Sequence, residues 1–393
     1  MVDHAEASIL APVADAGGDK LKIVTVMTTT ADGGAEFAAM EMLWALEQRG
    51  HDTVMITDRP SIARDTGVRV EEIDIGPKLS RRDWPRIAAS WPLYLRRLRN
   101  ALEREMPYDV LLVHYKKEQL MARQLPRRLR STLVWAEWGP VPFQMRKGVG
   151  GWAYRDAADK AGAIMAISRG TLESVAEVGV PAGKIQVVPN VMRGDDLRFT
   201  AEGRARVRRE LGIPDDAFVV GCISRFHPKK RNDVLVDAMK LIDDERAHLI
   251  MAGAGETEQE LRELAAPLGD RAHFVPTPGD DVADYTSAFD ISVFCPSPTE
   301  GAPRAVILPW LAGRPAISTG AMGVADMITP DIGEIASPEN DPSTVAQILR
   351  GYINDPERVR REGALALERA LQTYDAPVVA ERIEQIFRNA GAT

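Results

Sequence analysis

Between Lys22 and Thr319 the chain repeats one unit: a short run of apolar and branched residues, a stretch with helical spacing, then the next run. The first series reads KIVTVMTT, a helix over residues 35–49, DTVMITD, VRVEEID, DVLLVH (109–114), STLVWAEW (131–138), AIMAIS (163–168) and IQVVPN (185–190). Runs this apolar are strands covered on both faces, and the helices between them are the crossovers that parallel strands require. One complete doubly wound domain is therefore expected.

Residues 191–214 turn charged and helical (GDDLRFTAEGRARVRRELGIP), as a connection between domains does. A second alternation follows, with FVVGCIS (218–224), HLIMAGAG (248–255), AHFVPT (272–277), ISVFCPS (291–297) and RPAIST (314–319), and two helical stretches over 342–371 and 376–389 close the chain. The expected fold is α/β, with two Rossmann-like doubly wound domains facing each other across a cleft at their strand C-termini, where ligands of such sheets bind. The 393 residues, 45% hydrophobic, supply enough material for two cores. The expected divisions are a flexible tail at 1–20, a first domain at 21–195, a second at 196–372 and a final helical segment at 373–393. The tail, MVDHAEASILAPVADAGGDK, lacks a basic start and a long apolar run, so it reads as neither signal peptide nor anchor.

A net charge of −8 argues against a nucleic-acid partner, which would need a phosphate-neutralising face. Cys222 and Cys295 are the only cysteines and lie in apolar runs. A reducing cytoplasmic compartment is the simplest expectation. No histidine and cysteine cluster has zinc-ligand spacing, so no metal is implied.

Three segments carry candidate chemistry. Gly33 and Gly34 follow the first strand and open a helix, where backbone amides can approach an anion; a tight strand-to-helix turn would use glycines equally well. SRFHPKKR leaves the strand at 218–224, and Arg225 and Lys230 together suit a diphosphate, whereas Lys229 and Arg231 read as a solvated surface. CPSPTEGAPRAVILPWLAGRPAIST places Glu300 and Gly301 in a loop that enters a helix. A carboxylate there can accept hydrogen bonds from sugar hydroxyls while neighbouring amides face phosphate, or it can simply complement the helix dipole.

Taken in order, Gly-Gly near the N-terminus, Arg-x4-Lys at the second domain and Ser-x-x-Glu-Gly-x-Pro followed by Gly-x-Pro resemble the family-four retaining glycosyltransferases of GT-B fold (glycosyl transferases group 1). GVPAGKIQVVPN, MAGAGE and ADYTSAFDISVFCPS match in the same order, and the resemblance runs from about Lys22 to the final helices. It implies transfer of a sugar from a nucleotide-diphosphate donor, with Arg225 and Lys230 on the diphosphate and Glu300 on the donor sugar. Gly33 and Gly34 would approach the donor from the first domain. Gly253, in MAGAGE, would join the donor side with Val275 and Thr277, which lie in a segment bordering the nucleobase mainly through backbone groups. Gly301, Ala302, Pro303 and Arg304 would meet phosphate at the helix start. The final helix would cross back to the first domain.

In that mechanism the acceptor attacks the anomeric carbon on the face the diphosphate leaves, and configuration is retained. The diphosphate itself can take the proton, and the two cations replace a divalent ion, so no metal and no carboxylate pair of the glycosidase kind is needed. Two positions depart from the family pattern. Leu308, followed by Pro309, stands where a ribose-binding glutamate is expected. The histidine expected after STLVWAEW is absent, and Glu137 either replaces it as a polar contact or faces solvent. Trp138 borders a sugar or belongs to the core.

The expected acceptor is a small molecule of a secondary-metabolite or sugar-conjugate pathway. The segment KLSRRDWPRIAASWPLYLRRLRNALERE reads first as an amphipathic helix with one apolar side on the core. Contact with an anionic membrane or a lipid-linked acceptor is its second reading. The same residues also admit a glycosyltransferase-like partner protein without turnover, or an epimerase on the same fold. Oligomeric state is left open.

Overall fold

The structure, a computed structural model, describes residues 19–29, 34–63, 66–80, 82–130, 132–298, 300–320, 323–324, 327–337 and 341–392. The expected tail up to residue 18 and Gly33 lie outside them. The chain forms two compact units, the first made of the residues up to Ala166, Val175–Val191 and the segment from Asp375 onward, the second of Ile167–Ser174 and Met192–Tyr374.

The first unit holds a sheet of seven parallel strands, β1 (Lys22–Val26), β2 (Asp52–Thr57), β3 (Arg69–Glu72), β4 (Val110–Val113), β5 (Leu133–Glu137), β6 (Ala163–Ala166) and β7 (Ile185–Val187), in the order β3-β2-β1-β4-β5-β6-β7. All residues of β4, β5 and β6 are buried, as expected for strands covered on both faces. Its helices are α1 (Gly34–Gln48), α2 (Trp84–Glu105), α3 (Lys116–Ala122), α4 (Gly148–Ala158), α5 (Arg169–Glu177), which straddles the unit boundary, and at the far end of the chain α13 (Ala376–Asn389). In α13 the buried Ala376, Val379, Ala380, Ile383 and Phe387 recur at helical spacing. They pack into one cluster with Leu46 of α1 and Val110, Leu112 and Val134 of the sheet. Asp375 fixes the start of α13 by accepting from the Ala376 N–H at 3.0 Å.

The first helix lying wholly within the second unit is α6 (Ala201–Glu210), the charged stretch of the sequence. Its arginines are fastened to the strand entry: Arg204 and Arg208 each reach a different oxygen of Asp290 at 2.7 Å. The sheet has six parallel strands, β8 (Phe218–Ile223), β9 (Ala247–Ala252), β10 (Ala272–Val275), β11 (Ile291–Phe294), β12 (Ala316–Thr319) and β13 (Gly333–Ala336), ordered β10-β9-β8-β11-β12-β13. Helices α7 (Asn232–Lys240), α8 (Glu258–Ala265), α9 (Val282–Ala288), α10 (Arg304–Leu311), α11 (Pro342–Ile353) and α12 (Pro356–Tyr374) complete it.

Two features differ from the sequence reading. The short edge strand β13 was not expected, because four residues with two only half-buried carry too little alternation to register. The single helix expected over 342–371 is two, α11 and α12, since Pro356 cannot donate into a continuing helix and instead starts a new one.

In each sheet the strand order reverses between the first strand and the fourth, at β1/β4 and at β8/β11. That is the point where open α/β sheets leave a crevice for ligands.

Candidate functional site

The loops leaving β8 and β11 meet at the reversal of the second sheet. Phe226, fully buried, anchors the first loop, and its N–H donates to the Ala254 carbonyl at 2.9 Å. The N–H of Ser297 donates to the Lys229 carbonyl at 2.8 Å, which ties the second loop to the first. Held this way, the Lys230 ammonium reaches both Glu300 oxygens, at 3.0 and 2.9 Å, and lies over the Phe294 ring at 5.3 Å. Arg225 stands exposed on the same loop and makes no ion pair with a described residue.

Glycines let these loops approach. A side chain at Gly253 would put its Cβ 2.0 Å from the Ser224 carbonyl oxygen, and one at Gly255 would meet the Phe226 oxygen at 2.2 Å. Gly301 is crowded against Gly323, whose N–H donates to the Glu300 carbonyl at 3.0 Å and where a Cβ would overlap the Gly301 oxygen. Ala302 and Pro303 lead into α10 at Arg304, and Pro303 offers no side-chain cap to the first-turn amides.

The remaining donor-side candidates are spread around this centre. Val275 ends β10, and its carbonyl is occupied by the Gly253 N–H at 3.0 Å, while Thr277 is exposed beyond it. Leu308 is buried in the core cluster of the second unit with Val306, Ile307 and Trp310. Cys222 and Cys295 are both free and buried, with burial pushing the Cys222 thiol up to about 11.

At the reversal of the first sheet a polar network is buried. Gly34 opens α1, and a Cβ there would meet no described residue within 4 Å. Glu36 accepts from Thr29 Oγ1 at 2.6 Å and from the Tyr115 hydroxyl. Glu118 is fully buried and accepts from the Thr28 hydroxyl, and burial holds its carboxyl above the usual range. Glu137 is 3% exposed. It takes hydrogen bonds from Gln119 at 3.0 Å and the Tyr154 hydroxyl at 2.9 Å and pairs with the Lys116 ammonium. Of the two readings offered for Glu137, facing solvent is therefore not the one found, and both carboxylate oxygens are already engaged.

A residue the sequence reading passed over is His114, directly after β4. Its ring lies nearly parallel to that of Trp138, with centroids 5.7 Å apart and planes 4° apart, and its Nδ1 accepts the Trp138 indole N–H at 3.1 Å. That bond leaves the proton of the neutral ring on Nε2, which is buried with no hydrogen-bond partner among the described residues. Burial pushes the ring's pKa down to about 3. The signal available in sequence was a histidine immediately after a wholly apolar strand.

Two parallel-sheet Rossmann-like units with ligand-type loops at their reversals define the GT-B architecture of glycosyltransferases. Residues 33–191 match the description "Glycosyl transferase 4-like domain" and residues 217–355 match "Glycosyl transferases group 1". The chain belongs to the family-four glycosyltransferases. It is 28% identical over 342 residues to a D-inositol 3-phosphate glycosyltransferase of Streptomyces avermitilis, covering 79% of this chain and 72% of that protein. A GDP-mannose-dependent monoacylated alpha-(1-6)-phosphatidylinositol monomannoside mannosyltransferase of Corynebacterium glutamicum is 26% identical over 208 residues, half of this chain and 54% of that one. The fold is also that of Anabaena HepE in complex with UDP, with a TM-score of 0.79 over 93% of this chain and 99% of that one at 17% identity.

Proposed function

We propose that this glycosyltransferase takes its sugar from a nucleoside-diphosphate donor and transfers it, with retention of configuration, to a hydroxyl of a small acceptor. The observation that carries the reading is the Lys230–Glu300 pair at the reversal of the second sheet, with Arg225 on the same loop making no ion pair among the described residues. Lysine has three donors and Glu300 uses two directions, so a third N–H is left for a phosphate oxygen while Arg225 forks to others. In this reading the start of α10, from Gly301 to Arg304, adds its dipole to the departing diphosphate. Glu300, its charge balanced by Lys230, orients sugar hydroxyls. The positive charge that a divalent ion would provide comes from the two side chains, and the diphosphate accepts the acceptor's proton.

Because Leu308 is committed to the core, the ribose is held by groups other than a carboxylate at that position. The named activities of the two curated relatives, on an inositol phosphate and on a phosphatidylinositol mannoside, favour a phosphorylated polyol or its derivative as acceptor.

The test is a thermal-shift panel with UDP, GDP, ADP, dTDP and CDP on the wild type and on Arg225→Ala/Lys230→Ala. One or two diphosphates should stabilise the wild type, by about 2.7 kcal/mol at a concentration near 100 times Kd, and none should stabilise the double variant. A wild type indifferent to every nucleotide would remove the donor assignment.

A further inference from the structure

The sequence assigned α2 one apolar side, but the folded helix has two. Ile87, Tyr94, Leu98, Ala101 and Leu102 form the buried one. Trp84, Ala88, Trp91 and Pro92, spaced i, i+4, i+7 and i+8, form another that faces a surface groove. It lines a groove of about 460 Å³, closed on its other sides by Leu120 of α3 and Trp152 of α4. Three of the chain's seven tryptophans thus surround one surface groove. Trp84 is 50% exposed and Trp152 57%, and the turn before α4 and its first residues add Phe143 and Val149, each more than 80% exposed.

The charge around this groove opposes that of the whole molecule. Residues 78–102 hold seven lysines and arginines and one acid, Asp83, and residues 143–155 hold three and none, in a chain of net charge −8. Along α2 the cations at the far end are matched, Arg99 by Glu103 and Arg104 by Glu71. At the groove end Arg82 and Lys147 are exposed and make no ion pair with a described residue. Arg123 is matched by Asp156 on the groove wall and lies 6.0 Å from the Trp152 ring centre.

We propose that this face docks on an anionic lipid bilayer, with Trp84, Trp152, Phe143 and Val149 entering the interfacial layer, an acyl segment filling the groove, and Arg82 and Lys147 meeting lipid phosphates. Half-exposed tryptophans beside unpaired cations are the composition that partitions into a headgroup region. Charge complementarity favours a bilayer over a second copy of this chain, whose matching face would bring like charges together. No described helix is long and apolar enough to cross a membrane, so the contact is one of surface attachment.

The experiment is sedimentation of the full chain, without donor, with phosphatidylcholine vesicles made with and without phosphatidylglycerol, alongside tryptophan emission. Expected is binding with a blue shift only when phosphatidylglycerol is present, weakened by salt. Trp84→Ser/Trp152→Ser should abolish it, and Arg82→Glu/Lys147→Glu should weaken it by more than about tenfold. All four residues are exposed, so circular dichroism and melting should match the wild type. Failure of the wild type to bind phosphatidylglycerol vesicles overturns the proposal, as does equal binding by either folded variant. A concentration-dependent dimer abolished by the tryptophan variant also overturns it, by giving the groove to a second copy. Vesicle binding is read without nucleotide, so its failure is distinct from a failure of the donor assignment.

Discussion

Lys230 and Glu300 are each about a quarter exposed, at 24% and 23%, so water screens their attraction and the pair adds less than about 1 kcal/mol to the fold. Glu300→Gln keeps the shape and removes the charge. It should leave melting nearly unchanged and lower kcat/KM by about 10² to 10³, the scale of losing one preorganised polar contact to a developing charge. Steady-state kinetics on the folded variant check this, and full turnover would take Glu300 out of the site. His114 makes a separate prediction about acid. Its folded pKa is about 3 against 6.5 for the free side chain, so between those values the unfolded chain binds the proton and the folded one does not. Stability from this group is complete above about pH 6.5 and drains away as the pH falls toward 3. His273, pushed down to about 4, acts in the same sense, so the comparison has to be differential. Urea unfolding at pH 7 and pH 5 should show a smaller loss for His114→Phe than for the wild type, and equal losses would contradict a buried neutral ring.

Among the elements, the turns after β1 and β9 use glycine for opposite reasons. Gly253 is steric, since the Ser224 carbonyl occupies the place of its Cβ. Gly253→Ala should cost about 2 to 3 kcal/mol as the loops after β8 and β9 are pushed apart, measured by denaturant unfolding. A Cβ at Gly34 meets no described residue within 4 Å instead, so Gly34→Ala should keep or slightly raise the melting temperature, alanine being the better helix former. If donor approach uses that space, as the sequence reading expects, the same variant loses transfer activity while staying folded. A stability loss at Gly34 would show that the space is not open.

For the whole molecule, α13 is the segment farthest along the chain from the core it completes. Ending the chain at Tyr374 strips Val379, Ile383, Ile386 and Phe387 from the first unit, each worth about 1.5 to 3 kcal/mol when fully buried, a sum comparable to a domain's entire stability. Hydrogen exchange should then rise across α1 and the first sheet and stay unchanged in β8–β13; uniform exchange gain would contradict the division into units. The sequence by itself determined every strand but β13, their parallel arrangement and the two-sheet plan, because buried strands and their crossovers leave an unmistakable apolar rhythm. It also marked Arg225, Lys230 and Glu300, whose charges sit at strand ends. Tertiary structure alone decided which of these touch, since the loops after β8 and β11 become neighbours only through strand order. It also decided that Glu137 is an interior ion-pair partner, that Leu308 is core, that His114 meets Trp138 across adjacent strands, and that α2 keeps a second apolar stripe on a surface groove. Each of these depends on what lies across from a residue, and sequence periodicity records which face a side chain is on without recording what faces it.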